Sequence, residues 1–282
     1  MKVNGKNAAD KTIVSPVKLR GRLAAHFRAH KWQYLFSVLA IAVMWGVWAV
    51  AYFTVGNGYV VPSFADTMRE LGALLAGTEG RFWPAFANTL WRSVLAWLLA
   101  FVLAVLFAAA SVASKKFYSF FRPFVSVFRT LPTMAITLML LIWSTRRVAP
   151  VIVTFLMLFP VIYAQLMAAY RGIDGKLFEM AKVYGVSRME ILGRIAVPGM
   201  LPAVFSQAGA NLSLSLKVTI SAEVLVSSFS SIGGMMHDAA LNLQVAEMFA
   251  LTILALIVGG VFEFALGFLT RITDRWKGGR AA

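Results

Sequence analysis

The sequence predicts an all-α integral membrane protein of about six transmembrane helices, with both termini on the cytoplasmic side. Three observations carry that expectation. Of 282 residues, 60% are hydrophobic and only 14% charged, and the mean hydropathy is +0.75; one water-soluble core cannot bury so much apolar surface. Apolar runs of roughly the 20 residues a helix needs to cross the hydrocarbon lie near Leu35 to Thr54, Phe86 to Val112, Phe124 to Trp143, Val148 to Ala168, Ala203 to Val226 and Met248 to Leu269. Basic residues gather in alternate connections, as cytoplasmic loops do. Helices of a soluble bundle would carry water-facing stripes, which these runs lack.

The elements follow in order. Residues 1–33 form a basic cytoplasmic arm whose opening has no apolar core, so it does not read as a cleavable signal peptide. Its charge suits anionic headgroups. Residues 34–84 hold the first span and an external loop from Gly56 to Pro84, with a short amphipathic helix near Ser63 to Leu75. The remaining spans make one membrane domain over 85–272, and 273–282 is a cytoplasmic tail. Lys115, Lys116 and Arg122 follow the second span; Arg171, Lys176, Lys182, Arg188 and Arg194 follow the fourth. The opposite side holds Arg69, Arg81, Arg146 and Arg147, offset by Asp66, Glu70, Glu79, Asp238 and Glu247. In the second span Ala100, Ala104 and Ala108 let a neighbouring backbone approach closely. No internal repeat marks the inverted halves common in secondary transporters.

Composition also excludes function classes. The net charge of +15 is accounted for by topology, and no nucleic-acid module accompanies it. With no cysteine, disulfides, thiolate metal sites and thiol catalysis are out. There is no H-E-x-x-H, no G-x-S-x-G and no cluster of His with carboxylates; His237-Asp238 falls in a predicted external loop as a solvated pair. Nothing matches G-x-x-x-x-G-K-S/T, so the chain has no usual loop to cradle ATP phosphates. Energy must come from another subunit.

The polar segment after the fourth span is the most informative. Asp174 and Gly175 open a helix that Gly185 closes in the left-handed conformation. Ser187 and Glu190 form a capping box that starts a second helix, which Pro198 is expected to stop. Leu177, Met180, Ala181 and Tyr184 share one face of the first helix; Ile191, Leu192 and Ile195 share one face of the second. The resulting hairpin has two readings: an amphipathic loop resting on its own membrane domain, or a docking element.

Glu179-Met180-Ala181, Gly185 and Ile195-Ala196-Val197-Pro198 resemble the E-A-A, three residues, G, nine residues, I-x-L-P signature of binding-protein-dependent ABC importer permeases. Met180 replaces the first alanine and Val197 the leucine, both apolar. The likeness runs from about Phe82 to the C-terminus and is closest to permeases for nitrate, sulfonates, taurine and related nutrients. Arg92, Phe128-Arg129-Thr130-Leu131-Pro132, Lys217 with Ala222-Glu223-Val224, and Ile232-Gly233 also match. The resemblance implies a type I ABC importer permease fold with a cytoplasmic coupling hairpin, in which Glu179, Ala181, Gly185, Ile195 and Pro198 serve docking to an ATPase. It further implies two cytoplasmic ATPase subunits, a second permease copy, an extracytoplasmic substrate-binding protein and a bacterial cytoplasmic membrane. The chain itself is then no enzyme and binds no cofactor, ATP and magnesium lying on the partner ATPase. The cargo would be a small nutrient such as nitrate, a sulfonate or taurine, or a vitamin precursor. An ion-coupled secondary transporter, with Glu223 as coupling acid, is the alternative.

Polar groups within the spans need partners or water, since a charge near the bilayer centre costs about 2.5 to 3.5 kcal/mol. Arg92 and Glu223 fall at similar depth, on the order of 5 to 10 Å below the outer surface. They are expected to pair, so that reversing both charges would rescue either single change. Lys217 lies deeper, to attract an anionic substrate or to join a structural ion pair. Gln207, Asn211 and Ser215 recur every four residues, with Ser213, Lys217 and Ser221 on an adjacent line. They either bond between helices or line a translocation path. Arg129 snorkels to the cytoplasmic side or caps a helix end.

Overall fold

A computed structural model describes residues 31–78 and 80–278. Most of the basic arm, Glu79 and the last four residues of the expected tail lie outside the described residues. All regular structure among the described residues is helical. The chain divides into two compact units, residues 1–61 and 62–282. The described part of the first is essentially one helix, α1 (Lys31–Val55), apolar all round as a lipid-embedded span must be.

The second unit opens with α2 (Phe64–Ala76). Ser63 caps it by accepting from the backbone N–H of Asp66, and Gly77 ends it at φ +70°. The long α3 (Phe82–Ala113) packs along α6 (Ala149–Arg171). Ala100, Ala104 and Ala108 are buried there against Leu158, Ile162 and Leu166. Small residues on one helix let branched residues of the other sit close to its backbone.

Between α3 and α6 the expected span from Phe124 to Trp143 is not one helix. It is α4 (Lys115–Thr130) followed by α5 (Thr133–Trp143), bent by 94° at the break. The cause is Pro132, whose ring disfavours a helical Leu131; Leu131 and Pro132 are both extended, at ψ 129° and 117°. Among the described residues, only α1, α3, α6 and α11 (Val245–Gly278) are unbroken helices long and apolar enough to cross a membrane; the count reaches six if each bent pair is one span. The expected tail from 273 is helical up to Gly278, because α11 continues.

After α6 come α7 (Gly175–Val183), the short α8 (Arg188–Ile191), a π-helical turn (Leu192–Ala196) and α9 (Val197–Leu225). Pro198 does not stop the second hairpin helix. It sits in the first turn of α9, where proline's missing N–H costs nothing. The segment expected as an external loop around His237 is a capped helix, α10 (Ile232–Leu241).

Helix α9 is the central element, packed on α3, α6, α10 and α11. It meets α11 through small residues. A Cβ added at Gly209 would lie 3.0 Å from the Glu263 Cα, and one at Gly259 would lie 2.9 Å from the Ser213 hydroxyl.

Candidate functional site

The hairpin is built by local chemistry. Asp174 accepts from the backbone N–H of Lys176 and so starts α7. At the other end Gly185, at φ +66°, donates to the Lys182 carbonyl, and Val186 donates to the Ala181 carbonyl. This is the double bond of a Schellman turn, which needs a left-handed residue at this position. Ser187 and Glu190 then satisfy each other's backbone N–H groups at 3.2 and 3.3 Å. The Ser187 hydroxyl also donates to the Glu190 carboxyl at 3.0 Å, and this bond, then the Ser187 N–H and nearby Arg194, hold that carboxyl below the usual carboxylate range.

The five signature residues play different parts within this hairpin. Ala181 is buried, 6% exposed, within the single chain. Gly185 makes the turn, Ile195 is half-buried in the π turn, and Glu179 and Pro198 are exposed. The expected apolar face is therefore split. Leu177, Met180 and Tyr184 point outward with Val183 and Met189, and three of the five are more than 70% exposed. Five outward apolar side chains on so small an element form a surface in want of a partner.

At the opposite end of the bundle, Arg92 on α3 and Glu223 on α9 form an ion pair of 2.8 Å, with Glu223 fully buried. The pair belongs to a larger network. Glu223 also accepts from the Thr89 hydroxyl at 2.8 Å and the Gly233 N–H at 3.3 Å. Arg92 donates to the Ser228 hydroxyl, and the Ile232 N–H donates to Thr89. Sequence reasoning missed Thr89 and Ser228, which lie more than 130 residues from their partners.

The polar residues of α9 separate by face. Asn211 pairs its amide reciprocally with Gln165 of α6, at 2.8 and 3.1 Å. Ser215 donates to the Ser93 carbonyl of α3 at 2.7 Å, and Ser213 is buried. The Asn211 and Ser215 bonds hold helices together, whereas the buried Ser213 hydroxyl has no hydrogen-bond partner among the described residues. Gln207, Lys217 and Ser221 instead share an exposed face with Ala210 and Leu214, at alternating spacings of three and four residues. The expected stripe of Gln207, Asn211 and Ser215 is thus split: Gln207 and Asn211 line one cavity with Gln165, whereas Ser215 is turned onto α3, because a four-residue step drifts around a 3.6-residue helix. No described carboxylate lies within ion-pair distance of Lys217. Another acid, Glu263 on α11, is exposed, and the sequence analysis overlooked it.

Residues 100–278 match the family of inner membrane components of binding-protein-dependent transport systems. The chain belongs to this family. It is similar to SsuC of Bacillus subtilis, a permease named for aliphatic sulfonates, at 24% identity over 88% of this chain and 89% of that one. The taurine transport system permease protein TauC of Escherichia coli is 23% identical over 90% of this chain and 96% of its own length. Among solved structures, the MetNI methionine ABC transporter in an inward facing conformation matches with a TM-score of 0.59 at 17% identity, covering 67% of this chain and 94% of that one. A bacterial alginate ABC transporter, solved with its alginate pentasaccharide-bound periplasmic protein, matches at 0.57 and 16% identity over 88% of this chain and 96% of that one. The fold is that of type I ABC importer permeases.

The permease is a multi-pass inner membrane protein and a transport subunit, not an enzyme. Its last unplaced candidate, Arg129, is exposed in the final turn of α4, where a cation suits the helix dipole. On the hairpin side of the bundle a second surface lies between the arms and the rest. Lys115, Lys116 and Phe178 line it with Ile191 and Leu192.

Proposed function

We propose that this permease is the path-forming subunit of an ATP-driven importer for a small organic anion of the sulfonate class, with both termini and the Glu179 to Pro198 hairpin in the cytoplasm. A partner subunit carries ATP and magnesium. Two such ATPase subunits receive the hairpins of two permease copies, and a binding protein delivers cargo from outside. The basic residues flanking the hairpin and the identity of the SsuC and TauC relatives support orientation and cargo class. The periplasmic protein bound to the alginate transporter supports the delivery step.

The observation that carries the reading is the outward apolar tip of a hairpin that is fully closed by its own caps. Burying even two of its five side chains supplies about 3 to 6 kcal/mol. The second arm of the hairpin runs through the π turn into α9, which bends by 53° between Met200 and Pro202, so a displacement at the tip is carried through that bend to the helix bearing Gln207, Lys217 and Ser221. That exposed stripe, apolar and polar by turns, suits a second copy around a narrow path. ATP closure that draws two hairpins together would then tilt the paired α9 helices and open the path outward.

The test uses Tyr184→Glu and Met180→Glu, which add charge at exposed positions and leave every cap intact. ATP-dependent uptake by the reconstituted complex should fall at least tenfold, with normal insertion and thermal stability. Unchanged uptake, or wild-type uptake in vesicles without any ATPase, would overturn the reading.

A further inference from the structure

A cavity of about 540 Å³ lies between α4 and α6, near the hairpin end of the bundle. Its α4 wall carries Tyr118, Arg122, Ser126 and Arg129, which follow each other at steps of four, four and three residues and so share one helix face. Its α6 wall carries Tyr163, Met167 and Arg171, again one face. The other side of α4 presents Phe117, Phe121 and Phe124, and the first two of these stack on Phe107 of α3. The charged face of α4 lines this open groove, with Arg122, Ser126 and Arg129 all exposed.

Three guanidinium groups line this groove and no carboxylate does. Among the described residues, none of the three arginines lies within ion-pair distance of an acid. Arg171 is instead held by Tyr118: it donates to the phenol oxygen and lies over the ring at 5.5 Å. Arg122 and Arg129 are about 10 Å apart along α4 and line the groove on either side of Ser126. Like charges gathered around one cavity repel unless an anion neutralises them. Planar guanidinium forks suit the oxygens of a tetrahedral oxyanion, which accept paired hydrogen bonds.

We propose that this groove is a binding site for a tetrahedral oxyanion, a sulfonate, sulfate or phosphate group, held by Arg122, Arg129 and Arg171. Two sources share that chemistry: a free anion entering from water, or the phosphate of an anionic lipid at the membrane surface. Ser126 adds a hydroxyl donor along the same wall. The inference needs neither the ATPase nor the cargo assignment, and its test is read without either.

The full-length permease is placed in nanodiscs of phosphatidylcholine, and thermal unfolding is followed with sodium sulfate against sodium chloride at equal ionic strength. Sulfate should raise the Tm with saturation, and Arg129→Gln or Arg122→Gln should weaken the apparent Kd at least tenfold. Discs containing phosphatidylglycerol separate the sources. If lipid is the occupant, the wild type gains stability in these discs and loses its sulfate response, while the variants gain less. Should the glutamine variants fail to fold, Ser126→Glu decides: a carboxylate built into the middle of the groove should raise the Tm by itself and abolish both responses. The proposal is overturned if neither sulfate nor phosphatidylglycerol acts beyond the chloride control, or if Ser126→Glu and the arginine variants respond as the wild type does.

Discussion

Glu223 shows how much one buried carboxylate can organise. Depth counting along two helices is enough to foresee its pairing with Arg92, because the rise per residue is fixed. It does not foresee Thr89, one turn before Arg92 on the same helix, or the Gly233 N–H, which reaches the same carboxylate only after α10 has folded back. That difference changes an expected outcome. Reversing both charges would leave two donors aimed at a cation, so the double variant Arg92→Glu with Glu223→Arg should not recover stability. Removing either partner of a buried pair costs about 3 to 5 kcal/mol, and thermal unfolding of purified Glu223→Met should show a loss of that order. Gly233 is the tighter constraint. A Cβ there would lie 2.3 Å from the Glu223 Cβ and 2.7 Å from the Ile220 carbonyl, so Gly233→Ala should sharply lower the amount of folded protein recovered from membranes.

The hairpin is the element where sequence and structure agree most closely, since caps are made by residues a few positions apart. Ser187 with Glu190, and Gly185 with its left-handed turn, are readable as a pattern. Proline is harder to read, because the same residue ends a helix or begins one according to what precedes it. Before Pro198 the chain is already in a π turn, so the helix passes through. The extra residue of that turn sets the rotation of the hairpin about α9. Deleting Gly193, an exposed residue of the turn, should rotate the hairpin by about 100° and uncouple ATP hydrolysis from uptake while insertion stays normal. Proton linkage also belongs here. The folded Glu190 carboxyl titrates below its usual range, so the capping box contributes fully at neutral pH and is lost only as pH falls through that lowered value. Ser187→Ala should move the Glu190 titration, followed by NMR of a labelled carboxyl, back toward higher pH.

Over the whole molecule, the decisive features are which face of each long helix ends up where. Hydropathy reads α3, α6 and α11 well, as each is a single apolar run. It reads α4 and α5 as one span, because a hydropathy average ignores the backbone restriction that Pro132 places on Leu131. It also assigns Ser215 to the same surface as Gln207 and Asn211, although Ser215 bonds to α3. The residues left exposed on α9 predict the assembly. With no native cysteine, Leu214→Cys should give a permease-to-permease disulfide in oxidised membranes, and Phe264→Cys, exposed on α11, serves as the comparison. No Leu214 crosslink in a functional complex would argue against pairing through α9.

Composition, hydropathy and local capping chemistry determined that this chain lives in a bilayer, where its unbroken apolar helices run and that a polar hairpin interrupts them, because each depends only on neighbours along the chain. Packing in three dimensions alone decided that Glu223 is a structural anchor, that Ala181 faces inward and that three arginines surround one cavity. Those outcomes rest on contacts between residues far apart in sequence, and on helix faces whose rotation is fixed only when the helices meet.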